Sequence, residues 1–341
     1  MSLEKFGWNS YFQSEYLCLA TPESKPARVT AADRERFVVW GESGEREATV
    51  SGRLRYSSDL WPAVGDWVAL ESGCRIAAVV PRQTAFSRKR AGDVTEQQVV
   101  AANIDVVFIV TGLDGDFNLR RIERYLLLAR ESGTRPVILL NKGDLATAPE
   151  GPAGSVAAVA AGAPVAVISA LQGWGLEALD AYLEPGQTVA LVGSSGAGKS
   201  TLVNRIRGRE QQRVREVRAG DNRGRHTTVR RELFPTSKGW LLIDTPGMRE
   251  LQLWAHSESI DFAFDDIAAL AAHCRFRDCK HRGEPGCAVA AAGLDESRLA
   301  NYAKLQRELA HLERQQDQRA AQDEKRRIKR IHRAMRGKNR I

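Results

Sequence analysis

The hydrophobic positions of the first 95 residues fall into short runs separated by turn-forming residues, which predicts an all-β domain. Gly41 follows one run, Gly65 and Asp66 lie within another, and Pro81 ends a third. Runs of this length and spacing are typical of a small barrel or sandwich. The predicted strands are Phe37–Trp40, Ala48–Leu54, Val64–Leu70 and Ile76–Val80.

Between residues 96 and 255, apolar runs alternate with amphipathic stretches. This pattern is typical of an α/β domain whose parallel strands are covered by helices on both faces. The Ala- and Gly-rich residues 146–162 predict a loop with some helix. The predicted strands are Val106–Val110, Pro136–Leu140, Val165–Ser169, Thr188–Val192 and Trp240–Ile243.

Residues 256–341 change to a helical pattern and form a third predicted domain. We expect helices over Asp261–His273 and Asp295–Gln322. Lys325–Arg340 then holds nine Lys or Arg residues and no acid, which suits an arm that neutralises phosphates, although such runs are commonly solvated tails. The apolar positions of the longer helix are Leu299, Tyr302, Leu305 and Leu309.

The composition favours a nucleic-acid partner, with a merely basic soluble enzyme as the alternative. A net charge of +8 attracts polyanions, and neither an amphipathic anchor nor a run of about 18 apolar residues points to a membrane. We therefore expect a cytoplasmic location. Basic residues of the β domain could contact phosphates, with scattered surface charges as an equal alternative: Arg53, Arg55, Arg82, Arg88, Lys89 and Arg90.

A glycine-rich loop between an apolar strand and a helix-like segment predicts a phosphate site. Its backbone N–H groups can bind β- and γ-phosphates, Lys199 adds a positive charge, and the Ser200 hydroxyl can ligate Mg²⁺. Downstream, Asp244 ends an apolar strand where it can bind Mg²⁺ through water, and the Gly247 N–H can sense the γ-phosphate. The loop residues predicted to hold the nucleotide are Gly193, Ser194, Ser195, Gly196, Ala197, Gly198, Lys199, Ser200 and Thr201.

The polar, basic segment Arg213–Arg231 predicts a switch region that orders around the γ-phosphate, with an inert surface loop as the alternative. Thr227 and Thr228 can close on Mg²⁺ through a hydroxyl group. Met248 stands where many small GTPases carry a glutamine that orients the attacking water, so intrinsic hydrolysis should be slow. His226 is our candidate to position that water, unless it only contacts backbone or RNA.

A guanine-reading motif lies upstream of the phosphate loop, in the reverse of the usual order. The Asp144 carboxylate can accept hydrogen bonds from guanine N1–H and the 2-amino group, which adenine lacks, so GTP is expected rather than ATP. Asn141 can address the other edge of the base, and the Lys142 stem can lie over the ring. Ser169 and Ala170 would support the base through backbone contacts. The inverted order predicts a circularly permuted site whose segments still enclose one nucleotide.

Three of the five cysteines lie with a histidine inside a fourteen-residue segment, which suits a metal better than a disulfide framework. Four protein ligands leave no open position, so we expect one structural zinc per chain, with redox chemistry less favoured. His273 could compete as a ligand. Cys18 and Cys74 lie apart and are expected to be small buried residues. The predicted zinc ligands are Cys274, Cys279, His281 and Cys287.

Together these motifs resemble the circularly permuted bacterial ribosome small subunit-dependent GTPase A family, nearly from end to end. The resemblance implies an OB-fold RNA-binding domain over residues 1–95, a permuted GTPase core over 96–255 and a zinc-binding helical domain over 256–341. It also implies binding to the 30S subunit and 16S rRNA late in assembly, with GTP hydrolysis that the subunit stimulates and that triggers release. The residues that carry the resemblance are Asn141–Asp144, Gly193–Ser200, Gly224–Thr228, Asp244–Gly247 and Cys274–Cys287.

Three functions fit these features. A GTP hydrolase that acts as an assembly checkpoint is our leading hypothesis. In a second, GTP only gates RNA affinity and turnover is incidental, and the effect of 30S on phosphate release separates the two. The third is a P-loop kinase acting on a small metabolite, which neither the guanine-reading motif nor the basic tail favours. We expect a monomer.

Overall fold

The structure is a computed structural model that describes residues 2–33, 35–57, 60–89, 97–207, 231–244, 260, 264–312 and 314. Its contacts divide the chain into two compact units. The first contains residues 1–88 and 98–252, and the second contains residues 89–97 and 253–341. Within the described ranges, no helix is long and apolar enough to cross a membrane.

Five strands near the N-terminus close into a barrel, which confirms the predicted all-β domain. They are β1 Lys25–Asp33, β2 Arg36–Gly41, β3 Gly44–Val50, β4 Trp67–Glu71 and β5 Arg75–Val79. β1 pairs antiparallel with both β2 and β4, and β3 pairs parallel with β5. The order therefore runs β1-β2-β3-β5-β4 and returns to β1, which leaves no free sheet edge. The barrel core contains Ala27, Val29, Phe37, Val39, Ala48, Val50, Leu54, Val68, Ile76 and Val79.

Strand β1 and two α-helices beside the barrel were not expected from the sequence. β1 lacks a clean alternation because Arg28 lies among its apolar residues and its register shifts between Val29 and Ala31. The strand expected to reach Leu54 ends early because a short helix follows it. The two helices are α1 Ser10–Leu19, which precedes the barrel, and α2 Gly52–Ser57.

The centre of the chain forms the predicted α/β sheet. Its strands are β8 Val106–Gly112, β9 Arg135–Asn141, β10 Val165–Val167, β11 Thr188–Val192, β12 Arg231–Pro235 and β13 Leu241–Asp244. They lie in the order β10-β9-β8-β11-β13-β12, and all are parallel except β12. Every residue of β8 and β11 is buried, as expected for strands covered on both faces. This part of the chain also contains the strand pair β6 Ala85–Lys89 and β7 Gln97–Ala102, and the α-helices α3 Leu119–Glu131, α4 Glu150–Ala157 and α5 Lys199–Arg207.

Arg28 joins the barrel to this sheet from a buried position, with 1% of the residue exposed. Its Nη2 donates to the Asn103 carbonyl oxygen at 3.0 Å and to Thr188 Oγ1 at 2.9 Å, and its Nε donates to the Gly65 carbonyl oxygen at 3.1 Å. It also donates to the Phe6 carbonyl oxygen. Burial lowers the pKa of Arg28 to about 10, so the side chain stays charged at neutral pH. The antiparallel pairing of β1 with β12 makes a second connection between barrel and sheet.

The second unit is helical in its described part. Its helices are α6 Asp265–Ala271, α7 Ala288–Ala291 and a last helix that covers residues 296–312. Arg298 pairs with Asp266 at 2.6 Å and lies 5.0 Å from the centroid of the buried Phe264 ring, so the last helix packs on α6. Of the predicted apolar positions, Tyr302, Leu305 and Leu309 are buried and Leu299 is half-buried. The predicted basic arm, residues 325–340, lies outside the described residues.

The expectation that Cys18 and Cys74 are buried was wrong. Cys18 is exposed because the buried residues of α1 are Phe12 and Tyr16, which lie on another face of the helix. Cys74 is half-buried in the turn between β4 and β5, where its φ is +56°.

Candidate nucleotide site and metal centre

The two halves of the predicted nucleotide site meet at the carboxyl-terminal edge of the parallel sheet. β9 and β11 lie on either side of β8, so Asn141 at the end of β9 is close to the loop that follows β11. Asn141 Nδ2 donates to the Ala197 carbonyl oxygen at 2.8 Å, and its Oδ1 accepts from the Ala170 backbone N–H at 2.9 Å. This buried side chain therefore connects three loops of the site. Its contact with the base edge stays a prediction, since its amide is engaged with the protein.

The phosphate loop forms a concave cradle, and side chains in place of two of its glycines would collide with the surrounding protein. Gly193 has a φ of +145°, and a Cβ there would collide with the carbonyl oxygen of Val110. Gly198 has a φ of +93°, and a Cβ there would overlap Asn141 Nδ2. Both positions require glycine for conformation and for space. Because α5 begins at Lys199, the backbone N–H groups of its first turn lie beside the cradle, and the N-terminus of a helix favours bound phosphate oxygens.

The side chain of Lys199 is held against the phosphate loop by backbone carbonyl groups of that loop. Its Nζ donates to the Gly193 carbonyl oxygen at 2.7 Å and also to that of Ser194. Ser194 Oγ donates to Asp116, which pairs with Arg121 at 2.6 Å. Asp116 was not among the predicted site residues, although its position shortly after a buried strand was an available signal. The ammonium group thus lies at the loop, where phosphate oxygens can replace the carbonyl acceptors.

The guanine-reading motif is supported by two further residues that were not predicted from the sequence, Asp114 and Trp174. Lys142, with a φ of +63°, places its Nζ 2.5 Å from Asp114 Oδ2, and this hydrogen bond lowers the pKa of Asp114. Gly143 packs closely against the Trp174 ring. A Cβ at this position would come 2.6 Å from Trp174 Cη2, so no larger residue fits there without a shift. Asp144 follows this glycine and is exposed. The turn that carries Asp144 is therefore fixed on both sides.

Arg205, in the last turn of α5, contacts the loop that follows β10. Its Nε donates to the Ala170 carbonyl oxygen at 3.3 Å, and its Nη2 donates to that of Leu171. The guanidinium also lies close to Gly173, where a Cβ would come 3.4 Å from Arg205 Cζ. The helix that begins at the phosphate loop thus also holds the loop that lies beside the guanine-reading motif.

The predicted magnesium ligands lie at the same edge of the sheet. β13 pairs with β11, with Ile243 opposite Ala190, so Asp244 ends beside the phosphate loop. Ser200 lies in the first turn of α5. A carboxylate and a hydroxyl are oxygen donors that suit Mg²⁺ when phosphate and water complete its coordination. Outside the described residues lie His226, Thr227, Thr228 and Gly247, whose roles stay predictions.

The four predicted zinc ligands come together in the second unit. One ligand atom from each of Cys274, Cys279, His281 and Cys287 lies within 4.8 Å of the others, and His273 is not part of the group. Cys274 Sγ is 3.9 Å from Cys287 Sγ, and these sulfurs lie 3.6 Å and 3.5 Å from His281 Nδ1. Tetrahedral zinc separates two sulfurs by about 3.8 Å, and a sulfur from a nitrogen by about 3.6 Å. The cluster therefore fits zinc.

Backbone contacts arrange these ligands. The Glu284 carboxylate accepts from the Lys280 N–H at 2.9 Å and from the Arg282 N–H at 2.6 Å. These hydrogen bonds close the turn between Cys279 and Cys287. A hydrogen bond from the Val289 backbone lowers the pKa of the Cys274 thiol. This favours the thiolate, which is the form that binds zinc.

Comparison with known proteins extends over the whole chain. A family model described as RsgA GTPase matches residues 79–254, and one described as 50S ribosome-binding GTPase matches residues 188–322. The small ribosomal subunit biogenesis GTPase RsgA of Opitutus terrae is 47% identical, with 100% of this chain and 99% of that protein covered. The protein of the same name from Syntrophotalea carbinolica is 43% identical, with 98% and 96% covered.

Two solved structures have a similar overall fold. YjeQ from Thermotoga maritima is 26% identical, has a TM-score of 0.62 and covers 84% of this chain and 99% of its own. YloQ, described as a circularly permuted GTPase, is 22% identical with a TM-score of 0.59 over 85% of this chain and 96% of its own, a likeness that concerns the fold alone. This chain therefore hydrolyses GTP at a circularly permuted site and belongs to the RsgA GTPase family.

Proposed function

We propose that this chain acts in late assembly of the small ribosomal subunit. It binds the 30S particle and its 16S rRNA, and it hydrolyses GTP to GDP and phosphate when the subunit stimulates it. The observation that carries the proposal is the end-to-end match to proteins named small ribosomal subunit biogenesis GTPases. The chain also has a closed barrel, an architecture that often binds oligonucleotides, and a Cys₃His cluster. A net charge of +8 supports an anionic partner.

Within the nucleotide site, we propose that Asp144 reads guanine, Lys199 neutralises phosphate charge, and Ser200 and Asp244 hold magnesium. Bound magnesium supplies positive charge that stabilises the transferring phosphoryl group. The chain itself orients the phosphates in the glycine cradle. Through Asn141 it also keeps the guanine-reading motif in register with that cradle.

Beyond the described residues, we propose that Thr227 and Thr228 reach the magnesium, the Gly247 N–H senses the γ-phosphate, and His226 orients the attacking water. Met248 cannot take that last role well, because a thioether is a weak hydrogen-bond acceptor. His226→Ala should lower the subunit-stimulated rate and leave GTP affinity unchanged. A normal stimulated rate in this variant would remove His226 from the mechanism.

We also propose one structural zinc per chain, a monomeric state and a cytoplasmic location, where ribosomal subunits are assembled. The functional division falls at about residues 95 and 255, between an RNA-binding barrel, the permuted GTPase core and the zinc-binding region. Support for zinc comes from the ligand separations, which match a tetrahedral ion.

The decisive experiment is a multiple-turnover GTPase assay with purified 30S subunits, 50S subunits and bare RNA. We expect 30S alone to accelerate phosphate release by orders of magnitude. Stronger stimulation by 50S than by 30S would instead support the subunit named in the family model that matches residues 188–322. Tight GTP-dependent 30S binding without faster turnover would indicate a GTP-gated binding module.

Guanine recognition has its own test. Nucleotide titration of the parent chain should give much tighter binding of GTP than of ATP, and Asp144→Asn should narrow that difference because it removes one acceptor for guanine. Equal affinities for GTP and ATP in the parent would overturn the assignment. A phosphorylated metabolite as product would indicate a kinase.

A further inference from the structure

A second concave surface lies between the barrel and β12, and none of the predicted nucleotide-binding residues lines it. It has a volume of about 860 Å³. Trp40 of β2 stacks on Phe6 with ring centroids 3.7 Å apart, and the half-buried Phe234 of β12 also lines the surface. Apolar area dominates the lining, so the surface resembles a binding groove more than a solvent channel. We call it the acidic cleft because three carboxylates border it: Glu4, Glu45 and Glu232.

The charge of the acidic cleft opposes that of the chain. Lys5 is the one basic residue among its described lining residues, whereas the chain as a whole carries a net charge of +8. Glu4 and Glu45 are exposed and form no ion pair with any described residue. Glu45 lies directly opposite Trp40 in the antiparallel register, so carboxylate and ring project from the same face of the barrel. Negative charge therefore lies beside the mostly buried Trp40 ring that lines the cleft.

Arg207 shows how this lining accommodates a cation. Its guanidinium lies 3.6 Å from the Phe234 ring centroid and 3.8 Å from Glu232. An arginine over an aromatic face beside a carboxylate combines cation–π attraction with ion pairing. The exposed Glu4 and Glu45 offer further carboxylates for cations from outside the chain.

We propose that the acidic cleft binds a basic peptide segment of a protein partner, with Arg or Lys side chains on the carboxylates and one aromatic or aliphatic side chain against the apolar floor. Charge complementarity selects this occupant, because the carboxylates repel the phosphates of RNA and attract cationic side chains. The volume suits a few side chains rather than a folded domain.

The test is fluorescence anisotropy of the full-length chain with a fluorescein-labelled peptide in which arginines flank one phenylalanine. We expect Glu4→Gln combined with Glu45→Gln to weaken binding about tenfold, the effect of losing two surface ion pairs. Glu150→Gln is the matched control, since Glu150 is exposed on α4 outside the cleft. Basal GTP hydrolysis and thermal unfolding should stay unchanged in all variants.

Two further probes complete the experiment. A peptide with serine in place of phenylalanine should bind more weakly, and polyuridine should bind the double Gln variant at least as well as the parent. The proposal is overturned if the parent does not bind the basic peptide, if the double Gln variant binds it as the parent does, or if the serine peptide binds equally well. Weaker polyuridine binding by that variant would assign the surface to RNA instead.

Discussion

At the scale of single residues, Gly196 and Gly198 look alike in the sequence but differ in their surroundings. Both have left-handed backbone, with φ of +82° and +93°. A Cβ on Gly196 would meet open space, whereas one on Gly198 would overlap Asn141 Nδ2. Only Gly198 is therefore coupled to the residue that connects the loops of the site.

We predict that Gly198→Ala lowers GTP affinity by at least about tenfold, because the new Cβ must displace Asn141 in addition to straining the backbone. Gly196→Ala is the control, and it should show only the strain of about 1–2 kcal/mol in unfolding free energy. Titration with a fluorescent guanine nucleotide and thermal unfolding measure the two effects. Equal GTP affinities in the two variants would contradict the role given to Asn141.

At the scale of elements, α5 carries two arginines near its C-terminal end with different partners. Arg205 donates to the carbonyl oxygens of Ala170 and Leu171, and Arg207 contacts Phe234 and Glu232 of β12. Of these two arginines, Arg205 is therefore the one through which α5 links the phosphate loop to the loop beside the guanine-reading motif.

We predict that Arg205→Ala raises the GTP dissociation constant about three- to tenfold, because hydrogen bonds from a charged donor to the loop carbonyls are lost. The turnover number at saturating GTP should change little, since Arg205 touches neither the phosphate loop nor the predicted magnesium ligands. Arg207→Ala should leave GTP affinity near that of the parent. An equal loss of GTP affinity in both variants would indicate general damage to α5 rather than loss of a specific contact.

At the scale of the whole molecule, the barrel and the parallel sheet are joined through Arg28. Its partners Gly65, Asn103 and Thr188 lie far from it in the sequence, yet all accept hydrogen bonds from one buried guanidinium. Removal of this donor takes a charged hydrogen-bond partner from each buried acceptor, although the Gly65 carbonyl oxygen still accepts from Asn103 Nδ2, and such a loss is costly.

We predict that Arg28→Met destabilises the chain by about 3–5 kcal/mol and makes the barrel and the sheet unfold in separate steps. Arg55→Met is the control, because its pair with Glu35 is 42% and 61% exposed and contributes under about 1 kcal/mol. Urea unfolding monitored by both tryptophan fluorescence and circular dichroism distinguishes the variants. A small, single-step change for Arg28→Met would show that the β1–β12 pairing suffices as a joint.

The second unit gives a prediction at the same scale. Cys279→Ser should abolish stoichiometric zinc binding and unfold the region around residues 264–312, because structural zinc contributes directly to folding. Cys18→Ser, outside the cluster and exposed, should bind zinc like the parent. Zinc analysis and hydrogen exchange measure both effects. Full zinc content and full protection in Cys279→Ser would refute the ligand assignment.

The sequence by itself determined the chemistry of this protein. The phosphate loop, the guanine-reading motif and the Cys₃His cluster each concentrate their functional groups within a few consecutive residues. Backbone conformation and ligand spacing are then local properties that residue order specifies. The strands of the α/β sheet could also be predicted from the sequence, because buried parallel strands are continuous apolar runs.

Only the tertiary structure decided how these parts are connected. β1 was missed because its pattern is broken by Arg28, whose partners include Thr188, 160 positions further along the chain. The closure of the barrel, the hydrogen bonds of Asn141 and the support from Asp114, Asp116 and Trp174 likewise depend on groups distant in sequence. Such contacts form only when separate elements pack together. They cannot be predicted from a local sequence pattern, because the sequence around each partner has no unusual feature.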